Sequence, residues 1–346
     1  MSPPKLFYLC INDGSDTRIN KEIKTLSKHF EVYYLGIGRS NAQCFVQPFC
    51  TQFWLIKGHQ KQAGTLVKYF FKFITIFFTH KFDTIHVINE QLLLILFPFL
   101  WVKKNKVVAD IFDSVFLRTS SAAVQMLQNV VYALPKRIIV TDNNRKTLVP
   151  LKFQAKLTVL ENYPYRFDKL KPKAGAADEL LILYSGSLGL TRGTGLLAEL
   201  VGVSSKVKIW LVGWIYDEPT RRLAQHPQVK NWGVVTQQES MQMAAQCDYI
   251  LSLYEPINEN NRNASPNKIY DAIQAQTPVI VNQEVKIAAF VDENRLGYVM
   301  PSFYETDPAR LIQELMRKKN QFVFDQTLQN RYTWEAVEAK LVAAHQ

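Results

Sequence analysis

A two-domain α/β fold built on parallel sheets is predicted by three features of this sequence: its length, a recurring alternation of short apolar runs with helical stretches, and a polar break near the middle. At 346 residues the chain exceeds most single cores and suits two domains of roughly 100–200 residues each. Hydrophobic residues make up 47% and charged residues 21%, the composition of a folded protein rather than a disordered one. Strand-like runs recur from end to end, separated by helical patterns, as in sheets joined by crossover helices.

In the first half the strand runs lie at residues 6–11, 32–35, 53–56, 84–88, 106–111, 137–141 and 157–160. Several are apolar throughout instead of alternating, so both sheet faces are expected to be buried. The loop after the first strand contains Gly14 and leads into a helix with Ile19, Ile23 and Leu26 on one face. Two readings stand here: Gly14 permits close approach of a ligand, or Asp16 or Thr17 simply caps the helix. The fourth strand ends on Asn89 and Glu90, and the fifth leads to Asp110 and Asp113. An amide and carboxylates thus collect at one sheet edge, where they can orient or deprotonate a hydroxyl. Asp113 is the better placed of the two acids, because Asp110 precedes Ile111 inside the strand and reads as structural. His86, within an apolar run, reads as a core histidine.

Residues 165–179, rich in Lys, Pro, Ala and Gly, mark a linker between domains at 1–164 and 180–330, followed by a C-terminal segment at 331–346. Strand runs in the second domain lie at 180–184, 207–212, 229–232, 249–253 and 278–281, with helices at 308–318 and 334–344. After the first of these strands come Ser185, Gly186 and Ser187, then Arg192-Gly193-Thr194-Gly195. Small residues let a ligand approach the backbone, and Arg192 supplies a fixed positive charge for phosphate. Gly193-x-Gly195-x-x-Ala198 superficially matches a dinucleotide fingerprint, but it begins about eight residues after the strand. The next strand also ends in Gly213-Trp214, without the acid that would hold the ribose of NAD. A plain glycine-rich turn is the alternative.

Ser265, Pro266, Asn267 and Lys268 open a predicted helix with free backbone N–H groups, an arrangement suited to an anion. Asp271, one turn further, is placed to accept from a ribose hydroxyl, and phosphate beside ribose means a nucleotide. A capped helix with a solvated lysine is the plainer reading. Glu255 begins a polar stretch, residues 255–263, at the carboxyl edge of the sheet, where such folds bind ligands. It serves either as an acceptor for a sugar hydroxyl or as a solvated loop acid.

A formal charge of +11 favours acidic partners without choosing among nucleic acid, anionic lipid and phosphorylated substrates. The four cysteines show no metal-ligand spacing with the six histidines, so no metal site is expected and a reducing, cytoplasmic setting is. No secretory signal is read at the N-terminus. The longest apolar run, residues 92–102, is roughly half a bilayer span. Between residues 57 and 81, Lys61, Lys68 and Lys72 interleave with Phe70 and Phe71, which suits peripheral attachment at the inner face of the membrane or an acceptor patch. An ordinary crossover helix accounts for the same pattern. No nucleic-acid module accompanies it, so that class of partner is not expected.

Taken together, these residues resemble the GT-B glycosyltransferases, in particular the retaining enzymes of glycosyltransferase family 4. The resemblance rests on Tyr184-Ser-Gly-Ser-Leu188, Arg192-Gly193, Trp210-Leu-Val-Gly213, Trp232-Gly233-Val234, and Ser265-Pro-Asn-Lys268 leading to Thr277-Pro278-Val279-Ile280. Asp16-x-Arg18, Glu161-Asn162-Tyr163-Pro164 and Tyr332-x-Trp334-Glu335 are similar as well.

The resemblance implies two Rossmann-like domains facing a cleft, with a C-terminal helix crossing back to the first. The nucleotide sugar would be held mainly by the second domain and a glycan or lipid-linked acceptor by the first, as in cell-surface polysaccharide or glycolipid synthesis. Arg192 and Lys268 would neutralise the diphosphate leaving group in place of a metal ion, and no cofactor is implied beyond the donor itself. Asp271 would take the ribose and the backbone at Gly233 and Val234 the base, with Gly14, Gly186, Ser187 and Gly213 lining the donor.

Two departures stand out: a family pair of glutamates eight apart reads Asn263 and Asp271, and a histidine at the end of the fourth strand reads Asn89. The rival readings are a nucleotide-sugar epimerase of the same architecture and a non-catalytic sugar-nucleotide or nucleic-acid binding protein.

Overall fold

The computed structural model describes residues 2–39, 45–112, 114–116, 121–168, 173–174 and 176–346. It divides into two compact units, Met1–Asn162 with Val337–Gln346, and Tyr163–Ala336. Asp113 and part of the 165–179 stretch lie outside the described residues.

The first unit contains strands β1 (Lys5–Leu9), β2 (Glu31–Gly38), β3 (Gln52–Lys57), β4 (Thr84–Ile88), β5 (Val107–Ile111), β6 (Arg137–Val140) and β7 (Leu157–Val159). They form one sheet in the order β3-β2-β1-β4-β5-β6-β7, every pair parallel. The order reverses between β1 and β4, the switch point at which such sheets open a crevice at their carboxyl ends. Its helices are α1 (Thr17–Leu26), α2 (Ala63–Thr79), α3 (Asn89–Ile95), α4 (Phe97–Val102), α5 (Ala122–Ala133) and α6 (Asn143–Leu148). Continuous apolar strands are buried on both faces as expected: Leu6, Phe7, Tyr8 and Leu9 are all fully buried.

The second unit has strands β8 (Leu180–Leu188), β9 (Val207–Ile215), β10 (Val229–Gly233), β11 (Tyr249–Leu251), β12 (Val279–Asn282) and β13 (Gly297–Met300). Their order is β10-β9-β8-β11-β12-β13, again parallel throughout. Helices α7 (Thr194–Val203), α8 (Glu218–Leu223), α9 (Gln237–Gln246), α10 (Glu259–Arg262), α11 (Asn267–Ala275), α12 (Ile287–Glu293), α13 (Pro308–Lys318), α14 (Gln326–Arg331) and α15 (Trp334–His345) complete the chain. The last residues of α15, from Val337 on, belong to the first unit.

β8 and β9 run further than the apolar pattern suggests, because Ser185, Gly186 and Ser187 stay paired with Val212, Gly213 and Trp214. β13 is an addition to the strands expected. Its Gly297 lies so close to β12 that a Cβ would stand 2.0 Å from the Val279 carbonyl oxygen.

α2 confirms the helix expected across the basic aromatic segment. Tyr69, Phe73 and Ile76 face the core, while Val67, Phe71 (63% exposed) and Phe78 (71% exposed) form an outer stripe with Lys68. Phe70 is half-buried, edge-on to Phe99 of α4, and Lys72 lies over the Trp54 ring at 5.4 Å. Lys61 is exposed ahead of the helix. Among the described residues no helix is long and apolar enough to cross a membrane.

Candidate functional site

The residues singled out in the second unit converge at the carboxyl edge of its sheet. β8 ends in a turn clamped by Tyr184, whose hydroxyl donates to the Gly189 carbonyl at 2.9 Å and accepts from the Gly189 N–H at 2.7 Å. Gly186 has φ +90°, and a Cβ there would sit 3.4 Å from Lys268 Nζ. Gly213, beside it on β9, has φ +136° and no room at all, since a Cβ would meet the Gly186 carbonyl oxygen at 2.0 Å. These glycines let two strands and a lysine ammonium share one small space.

Arg192 closes a 3-10 turn (Leu190–Arg192) just ahead of α7. Its guanidinium stacks on the Tyr254 ring, 3.7 Å from the centroid, and its buried Nη1 meets no hydrogen-bond acceptor among the described residues. The loop after β11 is tied to the same turn, with Glu255 N–H donating to the Thr191 carbonyl at 3.0 Å.

Lys268, half-buried in the first turn of α11, has its pKa drawn down to about 8. Burial is the larger cause and the like charge of Arg192 the next, with Asp271 opposing them. The like charge of Arg192 outweighs the opposing Asp271 carboxylate at Lys268, so the spot is electropositive.

Ser265 does not cap α11. The helix begins at Asn267 with Pro266 in the capping position and no side-chain cap, while Ser265 Oγ pairs with the Tyr270 hydroxyl at 3.2 Å. The Ile269 N–H closes the first turn on the Pro266 carbonyl at 3.1 Å, and no side chain caps the start of the helix beside Lys268.

Glu255 is half-buried and accepts from Tyr304 OH at 3.1 Å. Gly233 ends β10 with φ +68°, Val234 after it is exposed, and Ser187 is exposed on β8. Asn263 is buried; its Nδ2 donates to the Glu259 carbonyl at 2.8 Å and to Glu259 Oε2 at 3.0 Å, while Oδ1 has no hydrogen-bond partner among the described residues. An amide therefore stands where a family glutamate was expected, with an acceptor oxygen still open.

In the first unit the candidates have structural work. Asn89 adopts φ +60° and its Oδ1 accepts from Phe112 N–H at 2.8 Å, joining the ends of β4 and β5. Gly14 has φ +88°, and a Cβ would meet Val46 at 2.5 Å. Asp16 caps α1 by accepting from the N–H groups of Arg18 and Ile19.

Asp110 is fully buried, and both of its carboxylate oxygens accept from Arg18 Nη2, Oδ2 at 2.9 Å and Oδ1 at 3.1 Å. Arg18 also donates to Glu22 Oε1 at 2.7 Å and to the Leu160 carbonyl at 2.9 Å. Glu22, His86 and Asp110 lie within metal-binding reach of one another; the Arg18 guanidinium supplies the positive charge among them.

Tyr254 and the Glu259–Asn263 contact were not anticipated. Glu259 and Asn263 lie in the polar stretch after β11 and meet through one turn of α10, whereas Tyr254 lies just before that stretch and its partner Arg192 is distant in sequence.

No protein-family model matches the sequence, and no curated protein does. Solved structures share the fold. Sucrose-phosphate synthase from Thermosynechococcus elongatus aligns with a TM-score of 0.72 and 13% identity, covering 98% of each chain. Anabaena Alr3699/HepE in complex with UDP and glucose aligns at 0.66 and 13%, covering 99% of this chain and 96% of that one. A candidate UDP-N-acetylglucosamine 2-epimerase from Listeria monocytogenes aligns at 0.63 and 15%, covering 99% and 96%. The fold is that of the GT-B glycosyltransferases: two α/β units, each on a parallel sheet.

Proposed function

We propose that this chain is a glycosyltransferase that moves a sugar from a nucleoside diphosphate sugar to an acceptor hydroxyl, with retention and with side-chain cations stabilising the leaving group. The observation that carries the reading is the pairing of Arg192 and Lys268 at the glycine-lined edge of β8, with buried Arg192 Nη1 left without an acceptor among the described residues. Negative charge grows on the diphosphate as the glycosidic bond breaks, and two cations beside a helix N-terminus are placed to meet it. Asp271 takes the ribose, the backbone at Gly233 and Val234 the base, and Asn263 Oδ1 or Glu255 a hydroxyl of the transferred sugar. The UDP and glucose bound to HepE, a protein of the same fold, support a nucleotide-sugar donor here.

The exposed Val67, Phe71 and Phe78 stripe beside Lys68 favours a lipid-linked acceptor presented at an anionic membrane surface, as in cell-surface glycan assembly. Incubation with UDP-, GDP-, ADP- and TDP-sugars, with and without membrane lipid extract, tests the proposal. Nucleotide release that depends on the extract is expected. Epimer formation without acceptor would establish the epimerase reading instead, and binding without turnover the non-catalytic one.

A further inference from the structure

We infer that the second unit carries a groove for a neutral oligosaccharide, separate from the Arg192–Lys268 edge. α9 packs over β8 and α11, and beside it lies the edge strand β10, whose three central residues are exposed. The floor of the groove is Trp210 and Trp232, and its wall is Gln238, Gln242, Met243 and Gln246 of α9. Its volume of about 420 Å³ falls in the usual range for small-molecule sites.

The floor is built by a specific device. Asn231 pairs with Leu211 and Gly233 with Val212, leaving a bulge at Trp232; such a bulge re-aims a side chain. The redirected indole meets Trp210 edge to face, with centroids 5.4 Å apart. Lys230 Nζ sits 3.6 Å from the Trp232 ring centre, holding the indole in place while 37% of the residue remains exposed. The wall is equally regular, with Gln238, Gln242 and Gln246 on successive helical turns.

The chemistry of this lining selects the ligand class. Glu239, also at the groove, uses Oε2 in the capping box with Thr236, so the surfaces offered are indoles, primary amides, a thioether and one carboxylate oxygen, which accepts hydroxyls and repels anions. A phosphate ligand would find one cation, already seated over a ring. A purely apolar partner would strip water from the exposed Gln238 and half-exposed Gln246 amides without replacing their hydrogen bonds. A sugar chain satisfies both surfaces: its C–H faces lie on indole and its hydroxyls both donate to and accept from amides. Held there, a glycan would be kept at high local concentration near the enzyme.

Titrating the full chain with maltohexaose, cellohexaose, chitohexaose and mannohexaose, read by tryptophan fluorescence, tests the inference. At least one should give a saturable change that UDP and GDP do not compete away. Trp232→Ala should weaken that binding about tenfold or more. The double variant Gln238→Ala/Gln246→Ala, a surface change that spares the indoles, should weaken it several-fold while donor hydrolysis stays at the wild-type rate. Thermal unfolding checks that both variants fold. The inference is overturned if no hexasaccharide binds up to its solubility limit, if neither variant alters binding, or if nucleotide displaces the sugar. Since the readout is binding, a failure of sugar transfer would leave it intact.

Discussion

Arg192 and Lys268 show how a pair of residues acquires properties neither has alone. Each was legible in the sequence, one beside glycines after a strand and the other at a helix start, but their mutual repulsion appears only once Gly186 brings the two segments together. If they neutralise the diphosphate, Arg192→Ala and Lys268→Ala should each reduce donor turnover by roughly 100–1,000-fold without unfolding the chain; near wild-type rates in both would remove the assignment.

The Lys268 pKa of about 8 adds a pH dependence. The ammonium is present below that value and lost above it, so kcat/KM for the donor should fall as pH rises through about 8. Diphosphate binding should restore the charge and take up a proton above pH 8, seen by calorimetry in buffers of different ionisation enthalpy. Lys268→Met should abolish that uptake. The same depressed pKa disfavours the charged lysine in the folded state, so between pH 8 and the ordinary lysine value of 10.5 the unfolded chain binds more protons and this group's linkage stabilises the fold as pH rises.

Among the elements, buried parallel strands were the most legible because they are continuous apolar runs; Thr84–Ile88 was delimited by its pattern alone. Where pairing outlasts apolarity, the pattern stops early, as in β8 and β9. β13 escaped notice because it is a four-residue strand beginning with glycine. Two glycines test this level directly. Gly213→Ala forces a side chain against the Gly186 carbonyl at φ +136° and should destabilise the second unit by about 2–3 kcal/mol. Gly202→Ala, in α7 with nothing within 4 Å of a new Cβ, should instead stabilise by about 0.5–1 kcal/mol. Denaturant unfolding that ranks the two the other way would refute this account of the strand edge.

For the molecule as a whole, the decisive polar feature is the buried network that receives the C-terminal helix in the first unit. His345 Nδ1 donates to the Leu341 carbonyl at 2.7 Å, leaving Nε2 to accept from His86 Nδ1 at 2.9 Å. Burial lowers the pKa of both, that of His345 to about 4. An unfolded histidine takes a proton near pH 6.5, so the stability from these neutral rings is present in full above that pH and is lost progressively as pH falls toward 4. Glu22 and Asp110 oppose this trend, since burial raises both carboxyl pKa values and favours their protonated forms in the fold. His345→Gln should therefore flatten the acid limb of the Tm profile between pH 6.5 and 4. Asp110→Ala leaves buried Arg18 Nη2 without its acceptors while Glu22 and the Leu160 carbonyl still hold the rest of the guanidinium, and should destabilise the fold by about 1–3 kcal/mol in denaturant unfolding.

By itself the sequence determined the succession of strands and helices and the positions of the two cations, because hydrophobic periodicity, turn residues and helix starts are local properties of the chain. Only the tertiary structure decided what those residues meet. Tyr254 beneath Arg192, His345 against His86 and the bulge that turns Trp232 toward Trp210 arise from strand order and helix docking. Such contacts depend on which segments the sheet makes neighbours, and nothing in the composition of either segment announces the other.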